Sequence, residues 1–119
     1  MKISIEHVKG VVTNSYKEGK YRRLRGRENI AIFIRHIPLK SGSKQRIGYN
    51  SYEIKNESYL VFIDLMYQAN FAHPVVYELH NVEDGSVRSI EEKWPIADLA
   101  IERSLVPLII SDKEPKEEE

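Results

Sequence analysis

Apolar and polar residues alternate along much of the chain, and this period of two predicts a fold dominated by β-strands. The first segment with this alternation covers residues 3–12, ISIEHVKGVV, and predicts an initial strand. Segments 30–35, 46–54 and 75–82 are rich in β-branched and aromatic residues and predict further strands. Residues 59–67 are apolar on both faces, so we expect this strand to be central and covered on two sides.

Glycine and polar residues mark the segments between these strands. Residues 14–29 are polar and contain two glycines, which predicts a long exposed hairpin loop or the ragged ends of two strands. Asp84 and Gly85 suit a tight turn, so residues 86–90 are expected to return as the hairpin partner of the preceding strand.

One helix is predicted late in the chain. Pro95 suits the first helical position, and Asp98 favours the positive end of the helix dipole. Pro107 is expected to end the helix, and residues 108–110 to form a last short strand. The predicted fold class is therefore α+β and mostly β, with about six strands in an antiparallel or mixed sheet and one late helix.

Length and composition indicate a single folded unit. The chain has 119 residues, of which 41% are hydrophobic and 30% charged, as in ordinary globular domains. We expect a compact domain over 1–111 and a disordered acidic tail over 112–119. The absence of cysteine favours the cytoplasm, and the lack of a long apolar run predicts no membrane partner. Glutamate outnumbers aspartate and glutamine is scarce, a bias that resembles thermophile proteins.

The net charge of zero conceals two oppositely charged halves. Residues 1–60 carry thirteen Lys/Arg and five Glu, a balance of +8, whereas residues 61–119 carry five Lys/Arg and thirteen Asp/Glu, a balance of −8. Such asymmetry is typical of proteins that bind a polyanion or associate with themselves.

The basic residues are densest between Lys17 and Arg27, where Tyr16 and Tyr21 lie among them. Arginine binds phosphate oxygens through two parallel hydrogen bonds, and tyrosine can stack on bases. If residues 22–27 are extended, alternate arginines project to one side. The expected nucleic-acid-binding residues are Lys20, Arg22, Arg23, Arg25, Arg27, Arg35, Lys44 and Arg46.

This pattern predicts a small non-catalytic protein that binds RNA or single-stranded DNA without a cofactor. The sequence contains neither a nucleophile elbow nor a phosphate-binding glycine loop. An alternative is an assembly or adaptor protein, in which the basic half of one copy meets the acidic half of the next in a homo-oligomer.

A second alternative is a metal-dependent nuclease. Asp64 lies in the most apolar strand, and Glu78 and His80 share one face of the next strand. If the strands pair, these three side chains could converge on a divalent metal. Over residues 64–80 the arrangement resembles the restriction-endonuclease-like nucleases, with His80 in place of that family's lysine. The competing interpretation is that Asp64 caps a turn or pairs with an arginine, while Glu78 faces water.

Overall fold

The computed structural model describes residues 2–25, 29–67, 69, 71–94, 96 and 98–110; the side chain of Arg25 is not included. The elements in chain order are α1 (Ile5–Lys17), α2 (Arg22–Arg25), β1 (Ala31–Arg35), β2 (Lys44–Ile47), β3 (Asn50–Glu53), β4 (Ser58–Asp64), β5 (His73–Asn81), β6 (Val87–Trp94), α3 (Leu99–Arg103) and β7 (Leu105–Ile110). The predicted β-rich character is confirmed.

Five strands form an antiparallel sheet in the order β6-β5-β4-β1-β7, and β2 and β3 form a separate hairpin. Strand β4 is central and covered on both faces, as its composition predicts. On one face, here called the helix face, Val61 and Ile63 pack with Val8 and Val12 of α1. The opposite face, here called the hairpin face, is covered by β2, β3 and α3.

The strand predicted over residues 3–12 is wrong, because this segment forms the helix α1. Ser4 caps the helix, and its side chain accepts a hydrogen bond of 3.1 Å from the His7 amide. Ile5, Val8 and Val12 are spaced by three and four residues, so they lie on one side of the helix. Val8 and Val12 are fully buried, and this contact with the sheet selects the helical period.

Two other segments differ from expectation. The predicted loop over 14–29 is instead the end of α1, a turn and the single helical turn α2, as far as the described residues extend. The strand predicted over 46–54 is a hairpin of β2 and β3, because Gly48 adopts a positive φ of 63° and reverses the chain.

The C-terminal half follows the predictions more closely. Strands β5 and β6 form the expected hairpin around Asp84 and Gly85. The late helix α3 begins after Asp98, whose side chain accepts from the Ile101 amide at 3.1 Å. The prediction that Pro107 ends this helix is wrong, because α3 ends at Arg103 and β7 begins at Leu105. Pro107 lies within β7, an edge strand, where a missing amide hydrogen is tolerated. Pro95 and the predicted tail over 112–119 lie outside the described residues. None of the described helices has the length and apolarity needed to cross a membrane.

Candidate nucleic-acid interface

Exposed basic side chains cluster where α1 ends and α2 begins. The amides of Gly19 and Lys20 donate to the carbonyls of Tyr16 and Ser15, each at 3.0 Å. Together with the positive φ of 83° at Gly19, these bonds form a Schellman motif, which ends α1 and redirects the chain into α2. The residues at this junction, here called the basic corner, are Tyr16, Lys17, Lys20, Arg22 and Arg23.

The two arginines of the basic corner make contacts that leave their charge unneutralised. The guanidinium of Arg22 lies over the Tyr16 ring, 5.5 Å from its centroid. Arg23 donates through Nη1 to the backbone carbonyl of Glu18 at 3.1 Å. Neither arginine forms an ion pair with a carboxylate in the described part of the chain. Both guanidinium groups are exposed and available to an external anion.

A buried carboxylate fixes the junction to the sheet. Glu78 lies on the helix face of β5 and is only 2% exposed. Its Oε2 accepts from the Tyr21 hydroxyl at 3.1 Å and from Lys20 Nζ at 3.3 Å, and its Oε1 lies 2.8 Å from His80 Nε2. Because Tyr21 immediately precedes α2, this network determines where Arg22 and Arg23 lie relative to the sheet.

The electrostatics of the network favour a charged Glu78. Burial opposes ionisation, but the hydrogen bond from His80 and the positive charge of Lys20 outweigh it and lower the pKa of Glu78. Burial, reinforced by the negative charge of Glu78, raises the pKa of the Tyr21 hydroxyl. Tyr21 therefore remains a protonated hydrogen-bond donor. Its expected role in stacking on bases is wrong, because the residue is only 1% exposed.

The predicted binding residues do not form one surface. Lys20, Arg22 and Arg23 lie at the basic corner on the helix face. Lys44 and Arg46 lie on β2, on the opposite side of the sheet. Arg35 ends β1 and donates through Nε to Ser104 Oγ at 3.0 Å. The Arg25 side chain and Arg27 lie outside the described residues, and the expected extended backbone is replaced by the α2 turn as far as Arg25.

The expected convergence of Asp64 with Glu78 and His80 is wrong. In the β4–β5 register Asp64 is opposite Val75, whereas Glu78 is opposite Val61. The two carboxylates are therefore on opposite faces of the sheet, because side chains alternate along a strand. Among the described residues, no group of three acidic or histidine side chains is arranged to bind a metal.

Asp64 and Glu78 instead have separate structural partners. Asp64 Oδ1 accepts from the Met66 amide at 3.0 Å, which confirms the predicted turn cap. Its side-chain partner is His73 Nε2, at 2.8 Å from Oδ1, and not an arginine. Glu78 and His80 do share a face, but Glu78 lies in an interior strand and does not face water.

Sequence analysis missed the burial of His73 and Tyr21. His73 shares its strand parity with Val75 and Tyr77, and this pattern could have placed it on the hairpin face. Tyr21 offered no such signal, because its burial depends on the distant Glu78.

Comparison with known proteins adds no relative: neither a family model, nor a curated protein, nor a solved structure matches this chain. The side chains of the basic corner therefore carry the argument for function.

Proposed function

We propose that the protein binds RNA or single-stranded DNA through the basic corner and does so without catalysis. The observation that carries this proposal is the pair Arg22 and Arg23, exposed on a fixed turn and unpaired with any described carboxylate. Guanidinium groups bind phosphate oxygens through paired, charge-assisted hydrogen bonds. The network around Glu78 supports the proposal, because it positions these groups before a ligand arrives.

The shape of the basic corner favours single strands over duplex. Helix α2 has four residues, which is too short to read bases from the major groove as a recognition helix does. The Arg22 guanidinium lies over Tyr16 and presents a planar cation on which an unpaired base can stack. Unpaired bases offer such a face, whereas bases within a duplex are already stacked.

Phosphate neutralisation supplies most of the expected affinity. Lys17, Arg22 and Arg23 can each approach one phosphate, whereas Lys20 is paired with Glu78. With about 0.7 counterions released per phosphate of a single strand, three contacts give a log–log salt slope of roughly −2. Sequence preference is expected to be weak, because such contacts carry no base information.

The test is fluorescence anisotropy with labelled oligouridine, oligodeoxythymidine and a duplex of equal length, over a series of salt concentrations. We expect both single strands to bind more tightly than the duplex, with affinity falling steeply as salt rises. An affinity for single strands that stays constant with salt, or tighter binding of the duplex, would refute the proposal.

Light scattering on the same samples separates nucleic-acid binding from self-association. If the basic corner binds the acidic half of another copy, particle mass will rise at low salt before any oligonucleotide is added. The proposed function predicts a mass that is independent of salt in the absence of nucleic acid.

A further inference from the structure

A cavity of about 200 Å³ opens on the hairpin face, away from the basic corner. It is lined by the middle of β1, the end of β4, the turn after β4, the end of β6, α3 and the start of β7. Its described lining includes two carboxylates and no lysine or arginine. The side chains that matter here are Phe33, Phe62, Tyr67, Trp94, Asp64 and Glu102.

Four aromatic rings supply the apolar part of this cavity. Phe33 stacks with Phe62 at a centroid distance of 5.9 Å and contacts Tyr67 at 6.1 Å with a tilt of 55°. Trp94 is fixed by stacking on His73, with centroids 5.3 Å apart and planes 15° from parallel. All four rings line one space, and aromatic lining of this kind is found in sites that bind organic cations.

Asp64 contributes an acidic side chain to the same space. Its side chain is 6% exposed, and its Oδ1 accepts from the Met66 amide and contacts His73. Asp64 also lines the cavity, so its carboxyl group is within reach of a bound ligand.

His73 contacts two residues that line the cavity, Asp64 and Trp94, and holds them in place. Its Nδ1 lies 2.7 Å from the Phe71 carbonyl, which can only accept, so Nδ1 bears a proton. Its Nε2 is engaged by Asp64 at 2.8 Å, so neither ring nitrogen is available as a general base. Of this pair, Asp64 is the residue that lines the cavity. Glu102, exposed on α3, adds the net negative charge.

From these groups we infer that the cavity binds a small molecule carrying a quaternary trimethylammonium group. Such a cation has no N–H donors, so it needs no ring of acceptors, which the mostly aromatic lining does not provide. Aromatic faces and nearby carboxylates stabilise its diffuse charge. The volume is below the range of roughly 300–1,000 Å³ found for drug-sized ligands, so it suits a head group of this size better than a nucleotide.

Trp94 makes the inference directly measurable, because it is the only tryptophan in the chain and it lines the cavity. We would titrate the full chain with choline chloride at constant ionic strength and record tryptophan fluorescence. The matched control ligand is dimethylbutanol, the neutral isostere of choline in which carbon replaces nitrogen. We expect a saturable change with choline and a much weaker response to dimethylbutanol.

Two variants locate the binding site. Glu102→Gln removes the exposed negative charge and should weaken choline binding roughly two- to fivefold. Tyr67→Leu removes one ring and should weaken it by a similar factor. Glu83→Gln, an exposed carboxylate beyond the far end of β5, is the charge-matched control and should leave the affinity unchanged. Equal responses to choline and dimethylbutanol, no saturable response to choline, or unchanged affinity in both cavity variants would overturn the inference.

Discussion

The hydroxyl of Tyr21 donates to Glu78 Oε2 across 3.1 Å, and both side chains are almost completely buried. The bond joins the turn between α1 and α2 to an interior strand of the sheet. Because Arg22 and Arg23 follow Tyr21 directly, the same bond that stabilises the core also positions the basic corner. Core stability and the proposed binding surface are therefore physically linked.

Removal of the Tyr21 hydroxyl should destabilise the fold, whereas the same change at Tyr77 should not. Tyr21→Phe leaves the buried Glu78 with one fewer donor and should cost about 1–2 kcal/mol in the free energy of unfolding. The Tyr77 hydroxyl is also buried but has no hydrogen-bond partner in the described structure. Tyr77→Phe should therefore be neutral or stabilising. Urea unfolding followed by circular dichroism measures both, and an equal loss in the two variants would contradict the assignment.

The contribution of Glu78 to stability should depend on pH. Its pKa in the folded state is lowered below the ordinary value of 4.5, so the unfolded chain binds the proton more tightly. The stabilisation is fully present above pH 4.5 and is lost as the pH falls through the lowered folded-state pKa. At neutral pH, Glu78→Gln should cost about 1–3 kcal/mol, and this difference from wild type should shrink on acidification.

This prediction is checked by urea unfolding of wild type and Glu78→Gln at a series of pH values. Glu83→Gln, which changes an exposed carboxylate for which no burial cost arises, serves as the control. A difference between wild type and Glu78→Gln that stays constant or grows as the pH falls would show that Glu78 is not ionised in the folded protein.

Alanine substitutions at two glycines near β2 and β3 should distinguish the free-energy cost of backbone strain from that of steric overlap. Gly48 has φ of 63°, and a Cβ added there would lie 2.6 Å from Glu92 Oε1. Gly42 has φ of 82°, with open space around the same position. Each change to alanine should cost roughly 1–2 kcal/mol for the left-handed backbone. Gly48→Ala should cost a further ~1–3 kcal/mol for overlap with Glu92.

Thermal and urea unfolding of the two alanine variants measure this difference. The Glu92 carboxylate also accepts from the Tyr49 amide at 3.1 Å and from Asn50 Nδ2 at 2.6 Å, so its displacement would loosen the hairpin. Equal stability of Gly48→Ala and Gly42→Ala would mean that Glu92 moves aside without cost.

Charge removal at two places on the surface tests which cations bind nucleic acid. Arg22→Gln combined with Arg23→Gln should reduce the magnitude of the salt slope by about 1 to 2 and weaken binding of oligouridine at low salt. Lys44→Gln combined with Arg46→Gln makes the same change in net charge on the other side of the sheet. That variant should retain the slope of wild type. Similar losses in both variants would indicate attraction by overall charge instead of a site.

Local sequence signals were sufficient where neighbouring residues decide the conformation. Asp84 and Gly85 specify a tight turn, and the β5–β6 hairpin follows from them. The apolar run around Phe62 correctly indicates a central strand, because only a strand covered on both faces buries residues of both parities. At residues 3–12 the same kind of argument failed, because Ile3 and Ile5 suit a strand whereas the spacing of Ile5, Val8 and Val12 suits a helix, and the helix forms.

The sequence did not reveal the register between β4 and β5, and this register keeps the residues of the predicted nuclease site apart. Asp64 and Glu78 lie on opposite faces because Asp64 is opposite Val75 and Glu78 is opposite Val61. A shift of one residue between the strands would have placed them on the same face. No local property of either residue distinguishes these two arrangements.

By itself, the sequence determined the β-rich fold, the β5–β6 hairpin, the central strand and the unequal distribution of charge between its halves. Only the tertiary structure decided that Tyr21 is buried against Glu78, that Asp64 pairs with His73, and that the predicted cations divide between two sides of the sheet. The physical reason is how far apart in the sequence the interacting residues are. Turn formation and strand composition depend on adjacent residues, whereas the burial of a charge depends on partners tens of positions away that only the folded chain brings together.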